Sequence, residues 1–140
     1  MKNIKDIQII KELENKYRVL NSKDVFNKIK EFNISYDVEN FILITLNTKN
    51  KVIDIKNLFV GGIDSSLIDL RIIFKNALLD NAVKIIVGHN HPSRDLTPSS
   101  EDININNKIK EAGELMQINL IDFIIFNKEY YKSFVDEKSF

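Results

Sequence analysis

The chain has 140 residues and a mass of 16.3 kDa, and its 20 basic and 20 acidic side chains cancel to a formal net charge of zero. That length fits one domain whose core needs no disulfide or metal staple, and 44% hydrophobic with 29% charged residues excludes a disordered chain. The lack of cysteine removes disulfides, thiolate metal sites, thiol nucleophiles and the zinc deaminases, and zero net charge counts against a free-standing nucleic-acid binder.

The first stretch, MKNIKDIQIIKELENK, carries charges every few residues and lacks the apolar run of a leader. No uncharged run is long enough to cross a bilayer, so the expected setting is cytoplasmic, with no membrane partner. Ile7, Ile10, Leu13 and Tyr17 fall at helical spacing. Ser22 reads as the N-cap of a second helix, with Asp24 in its first turn and Val25, Phe26, Ile29 and Phe32 on one face. Residues 1–36 thus form an N-terminal helical segment, either an appendage or an integral layer.

From Phe41 the period changes. FILITLNT is β-branched and aromatic and ends in a polar stretch at Asn47, and VIDIKNLFV follows, so the pair reads as a hairpin with a longer loop. FILITLNT is a candidate edge strand, which leaves the oligomeric state open. Gly61 and Gly62 end the hairpin. Asp64, Ser65 and Ser66 are candidate caps for a helix whose apolar face holds Leu70, Ile73, Phe74, Ala77 and Leu78. VKIIVG reads as a short buried strand before the loop HNHPSRDLTP. Ser99 opens another helix, with Ile103, Ile105, Ile109 and Ala112 among its apolar positions, and NLIDFIIF is the last buried strand. Tyr130, Tyr131 and Phe134 form an aromatic tail that packs on the domain. The order predicts an α/β fold, a mixed β-sheet flanked by helices.

The chain's only histidines, His89 and His91, stand two positions apart just after a buried strand. In extended backbone such residues point to the same side, so both imidazoles can reach one metal ion. Asp102 lies one turn into the next helix and can point back toward the strand end. Two histidines, an aspartate and a water make the open tetrahedral set of a catalytic zinc site, and imidazoles disfavour magnesium and calcium. The same residues carry a plainer meaning. Ser99-x-x-Asp102 before an apolar run has the spacing of a capping box, with Asp102 serving the backbone of Ser99. The two readings are partly exclusive, since a ligating carboxylate is not free to fold back onto the N-cap amide.

The run GHNHPSRDLTPSSED resembles the JAB/MPN/JAMM metalloprotease signature: His-x-His, seven residues, Ser-x-x-Asp, with a Glu upstream. It is most similar to the RadC-like branch, whose members carry an HNHPSGD-x-x-PS-x-x-D run. The similarity extends from about Glu39 to Phe134 and takes in ENFILITLNTKNKVI, the GG-I-DSSL segment, RIIFKNALLDNA and IDFIIFNKEYYKSF. The resemblance implies a JAB/MPN-like domain over 37–140. It implies His89, His91 and Asp102 as ligands of a zinc cofactor, Ser99 as the oxyanion-stabilising serine and Glu39 as the general acid/base. Asp37, Asp95 and Glu101 are rivals of Glu39 by position.

Three departures stand out. Arg94 occupies the family's Gly position, where a positive φ would strain it and where an exposed charge is the plain reading. Arg71 is kept at a helix start that lacks the family's acid. The family's Asp-His is here Asp122-Phe123, which leaves Asp122 as either a partner of a metal-bound histidine or a cap for a backbone amide.

The function implied is a zinc-dependent metallopeptidase or isopeptidase, with a peptide or isopeptide-linked protein as substrate. The alternative is a DNA-associated accessory domain without turnover, since the family was historically linked to DNA repair. A nuclease ranks lower, because no carboxylate cluster for two-metal chemistry is visible.

Overall fold

A computed structural model of the chain describes residues 3–6, 18–62 and 66–138. The helix expected around Ile7, Ile10, Leu13 and Tyr17, and the caps expected at Asp64 and Ser65, lie outside them. The described elements are α1 (Ser22–Glu31), β1 (Asn40–Leu46), β2 (Val52–Val60), α2 (Leu70–Leu79), β3 (Lys84–Asn90), α3 (Ser100–Met116), β4 (Asn119–Phe126) and β5 (Tyr131–Ser133). The strands form one sheet in the order β2-β1-β3-β4-β5. Only β3 and β4 are parallel, and α3 crosses between them; the other neighbours are antiparallel. This is the expected α/β fold with a mixed sheet.

β1 is buried along its whole length, on both faces, and is apolar except at Asn40 and Thr45. Its odd residues, Phe41 and Leu43, join Ile85, Val87, Phe123 and Ile125 in a core covered by α2 and α3. Its even residues, Ile42, Ile44 and Leu46, join Ile86, Ile124 and Phe126 under Val25, Phe26 and Ile29 of α1. Helix α1 is therefore an integral layer. β1 is not an edge strand; β2 and β5 hold the edges.

Several local expectations shift. Asn21 caps α1, its side chain accepting from the Asp24 amide (3.0 Å) while the Asp24 carboxylate accepts from the Leu20 amide (2.8 Å). Ser22 is the first helical residue, and its hydroxyl bonds instead to Tyr131 and Asp136. Asp69, not Ser66, caps α2 by accepting from the Arg71 amide. Leu78 and Ile103 face solvent rather than the core. Of the aromatic tail, Phe134 is buried 4.8 Å from Phe123 and Tyr131 packs 4.8 Å from Phe26, but Tyr130 is exposed; the tail also contributes the short strand β5, which periodicity did not indicate. Strand β3 runs on through His89 and Asn90, so His89 lies within the strand rather than after it. Among the described residues, no helix is long and apolar enough to cross a membrane.

Helix α3 hands over to β4 through Gln117 in the left-handed region (φ 58°), with the Ile118 amide returning to the Gly113 carbonyl (2.9 Å). A Cβ on Gly113 would collide with the carbonyl oxygen of Ile118. Since that oxygen is backbone, relief requires α3 or β4 to move. Gly113→Ala should destabilise the protein by about 2 kcal/mol or more, despite alanine's better helix propensity. Chemical denaturation of the two proteins measures it.

Candidate metal centre

The centre forms where β1, β3 and α3 converge. β1 pairs antiparallel with β3, Phe41 opposite His89. Continuing that register places Asn40 opposite Asn90 and Glu39 opposite His91. Strand alternation then sends His89 to the α2/α3 side of the sheet and Asn90 to the α1 side. The rings of His89 and His91 stand 5.2 Å apart, near perpendicular. Pro92 follows at once, and the loop to Ser99 returns the chain to the start of α3.

The first turn of α3 brings up Asp102, buried at 1% exposure. Its Oδ1 accepts from His89 Nδ1 (2.8 Å), and its Oδ2 accepts from His91 Nε2 (3.0 Å) and from the Ser99 amide (2.8 Å). Ser99 completes a capping box by accepting from the Asp102 amide (3.0 Å). The cap and the cluster thus share one carboxylate and do not exclude each other, contrary to the expectation from spacing. A carboxylate has two oxygens and about four lone pairs, enough for all three donors.

His91 is oriented from both sides. The Asp95 carbonyl can only accept, so Nδ1 donates to it (3.1 Å), while Nε2 faces Asp102. Both ring nitrogens thus face acceptors, an arrangement that favours the protonated ring. The hydrogen bond to Asp102 accordingly raises its pKa against the opposing effect of burial. For Asp102, burial alone would raise the pKa. The hydrogen bonds from His89, His91 and the Ser99 amide outweigh it and hold the carboxyl far below the ordinary range. His89 is 4% exposed, and its Nε2 is buried without a hydrogen-bond partner. The nearest carboxylate oxygen beyond Asp102 is Oε1 of Glu39, at 3.7 Å.

One ligand atom each from His89, His91 and Asp102 lie within 4.8 Å of one another, so the three form a cluster able to hold a metal ion. The orphaned Nε2 of His89 is the kind of buried polar atom that a cation satisfies. Glu39, just ahead of β1, is the carboxylate set beside this cluster. Asp37 lines a neighbouring cleft, Asp95 offers its carbonyl to His91, and Glu101 is exposed on the first turn of α3. The cleft measures about 360 Å³ and lies between His91, Arg94, Tyr36, Lys128 and Tyr130.

The departures also find their places. Among the described residues, the non-glycine positions with positive φ are Asn50, Asn81, Gln117 and Lys138, so Arg94 carries no such strain. Arg71 pairs with Asp69 at 3.0 Å on the surface. Phe123 is a fully buried core residue. Asp122 accepts from the Phe123 and Val135 amides and the Ser133 hydroxyl, so it serves the backbone and not a histidine. Sequence reading passed over Asn40 and Asn90, both buried to 1% exposure or less. Their signal was there: asparagine is poorly suited to strands and must be hydrogen-bonded when buried.

A family model described as the RadC-like JAB domain matches residues 5–139. The chain is 44% identical over 117 residues to a UPF0758 protein of Clostridium tetani, covering 84% of this chain and 51% of that protein. It is 50% identical over 95 residues to a UPF0758 protein of Clostridium perfringens, covering 68% of this chain and 42% of the relative. A third, from Clostridium botulinum, is 51% identical over 98 residues, covering 70% and 42%. The chain spans about half the length, or less, of these curated relatives.

The charges in the cluster set a pH window for the metal-free protein. The Asp102 pKa is depressed on folding, so its contribution is full above the unfolded carboxylate value of about 4 and is lost as pH falls through the folded value. The His91 pKa is raised, so its contribution is full below about 6.5 and is lost as pH rises through the folded value. Under a chelator, Asp102→Asn should cost about 2 kcal/mol between about pH 4 and 6.5, and less on either side. Thermal melts of both proteins from pH 3 to 9 check this, and taking the difference removes the separate titration of Asp122.

Proposed function

Because the chain belongs to the RadC-like JAB domain family, we propose that it is a zinc-dependent hydrolase that cleaves a peptide or isopeptide bond with an activated water. The observation that carries this reading is the meeting of Glu39, brought from the far side of the sequence by β1, with the cluster of His89, His91 and Asp102. Two imidazoles and one carboxylate suit zinc and leave a fourth position for water or substrate. Bound there, zinc would lower the pKa of a water and polarise a substrate carbonyl.

The protein's own groups do the rest. Glu39 accepts the water's proton at Oε1 and delivers it to the leaving amine. The carbonyl carbon keeps the hydroxyl, the C–N bond breaks, and the nitrogen gains the proton. The Ser99 oxygen already accepts the Asp102 amide, so its O–H proton is the one to donate to charge developing on the carbonyl oxygen. Asp95 and the capping box hold His91 and Asp102 in their orientations. The cleft beside His91 takes the substrate chain on one side of the scissile bond, between the aromatic rings of Tyr36 and Tyr130.

Elemental mass spectrometry of purified protein should find about one zinc per chain, and His89→Ala or Asp102→Ala should abolish it. On a peptide and isopeptide library, Glu39→Gln at saturating zinc should slow turnover by about 10²–10⁴-fold. Wild-type protein that stays zinc-free after zinc addition would sink the reading.

A further inference from the structure

The residue between the two histidines does a separate job on the other face of the sheet. Asn90 is fully buried there, and its carboxamide meets the chain on both sides of Glu39. Its Oδ1 accepts from the Asn40 amide at 2.6 Å, and its Nδ2 donates to the Val38 carbonyl at 2.9 Å. Asn40 closes the figure: its Nδ2 donates to Asn90 Oδ1 (3.0 Å) and to the carbonyls of Val38 (3.0 Å) and Ser35 (2.7 Å). The carbonyl of Glu39 itself accepts from the Gly61 amide at 2.9 Å. Every peptide group flanking Glu39 is therefore fixed, although Glu39 lies just outside the strand.

We propose that Asn90, together with Asn40, is the positioning residue that holds Glu39 beside His89. A side chain ahead of a strand ordinarily swings with a loop backbone that the sheet ladder does not restrain. Here the Gly61 amide extends the ladder on the β2 side only, and on the β3 side a buried amide pair takes its place. It ties the Glu39 peptide to the strand that bears the histidines, so base and ligand share one rigid support. The strand period lets one H-N-H tripeptide do both tasks, since His89 and His91 face the cluster and Asn90 faces the clamp. The polarity of each carboxamide is set by its partners: the Asn40 amide can only donate and the Val38 carbonyl can only accept. The role given to Glu39 rests on the hydrolase reading; the clamp itself rests on these hydrogen bonds.

Two measurements on the full chain test it. The first is the nuclear Overhauser contact between the Glu39 γ protons and the His89 ε1 proton, without metal. It should be present in wild type and lost in Asn90→Ala, while Phe41–His89 contacts across β1 and β3 persist. The second is zinc affinity, measured by chelator competition, in a double-mutant cycle of Asn90→Ala with Glu39→Gln. Removing a carboxylate so close to the cluster should weaken zinc about fivefold. Asn90→Ala should weaken it by a like factor, and the double variant should be no more than about twofold weaker than either. A folded Asn90→Ala protein that keeps the Glu39–His89 contact, or a cycle in which the two losses multiply, overturns the clamp. If wild type binds no zinc, the hydrolase reading falls and the contact alone decides. If Asn90→Ala does not fold, Asn90→Asp takes its place. It keeps the acceptor for Asn40 but loses the donor to Val38, so the contact should weaken rather than vanish.

Discussion

The arrangement depends on one buried carboxylate. Asp102 accepts from a strand residue, a loop residue and the backbone of its own helix cap, and so welds the end of β3 to the start of α3. A lone carboxylate with 1% exposure would be protonated or would destabilise the fold. Three donors, together with the positive end of the α3 dipole, keep it charged. Because both ends of the loop from His91 to Ser99 are tied to this group, the loop, the cleft wall and the Ser99 hydroxyl are placed with it.

Around that weld, the pleat of the sheet divides the labour. The α2/α3 face carries Glu39, His89 and His91, and the α1 face carries packing and the amide pair. Helix α1 bears no reactive group in the centre, yet the strands need it. β1 and β3 present Ile42, Ile44 and Ile86 on this face, which would be exposed without it. Gly88, directly before His89, leaves room for the end of Ile29, whose Cδ1 would lie 2.8 Å from a Cβ there. A Cβ there would have to displace the end of the Ile29 side chain, with the Phe126 ring 3.3 Å away beside it. The smallest residue in β3 therefore lets the helical layer close over the strand beside the cluster.

How much of this was legible in the sequence depended on how local each cause was. Strands β1 to β4, the hairpin and the His-x-His geometry follow from short windows, and Ser99 from capping chemistry, whereas the order of strands in the sheet, with β1 inside rather than at an edge, rests on long-range pairing. Glu39 lies fifty residues from His89, and only the register of β1 on β3 brings them together; resemblance, not spacing, pointed to it. β5 is three residues long and owes its existence to pairing with β4. The apolar faces were overread because isoleucine is abundant: Ile103 fits the helical stripe of α3 but faces water, while Asn106 lies inside. At α1, Asn21 and Ser22 are both good caps, and Ser22 lost that place because Tyr131 and Asp136 engage its hydroxyl.

The two meanings of Ser-x-x-Asp turn out to be one physical device. A capping box needs an acceptor at the third helical position that leans back over the helix start, and a ligand that must reach a strand end needs the same lean. The cap uses one direction on Oδ2, where His91 takes another, and leaves Oδ1 for His89. Folding α3 thereby orders the carboxylate before any cation arrives, so the conformational entropy of fixing it falls within folding rather than within binding. His91, held between Asp102 and the Asp95 carbonyl, is favoured in its protonated form and so offsets the charge of this carboxylate. A divalent ion bound there would take the place of that proton with little movement of the backbone, because strand, loop and helix cap already hold the three side chains close together.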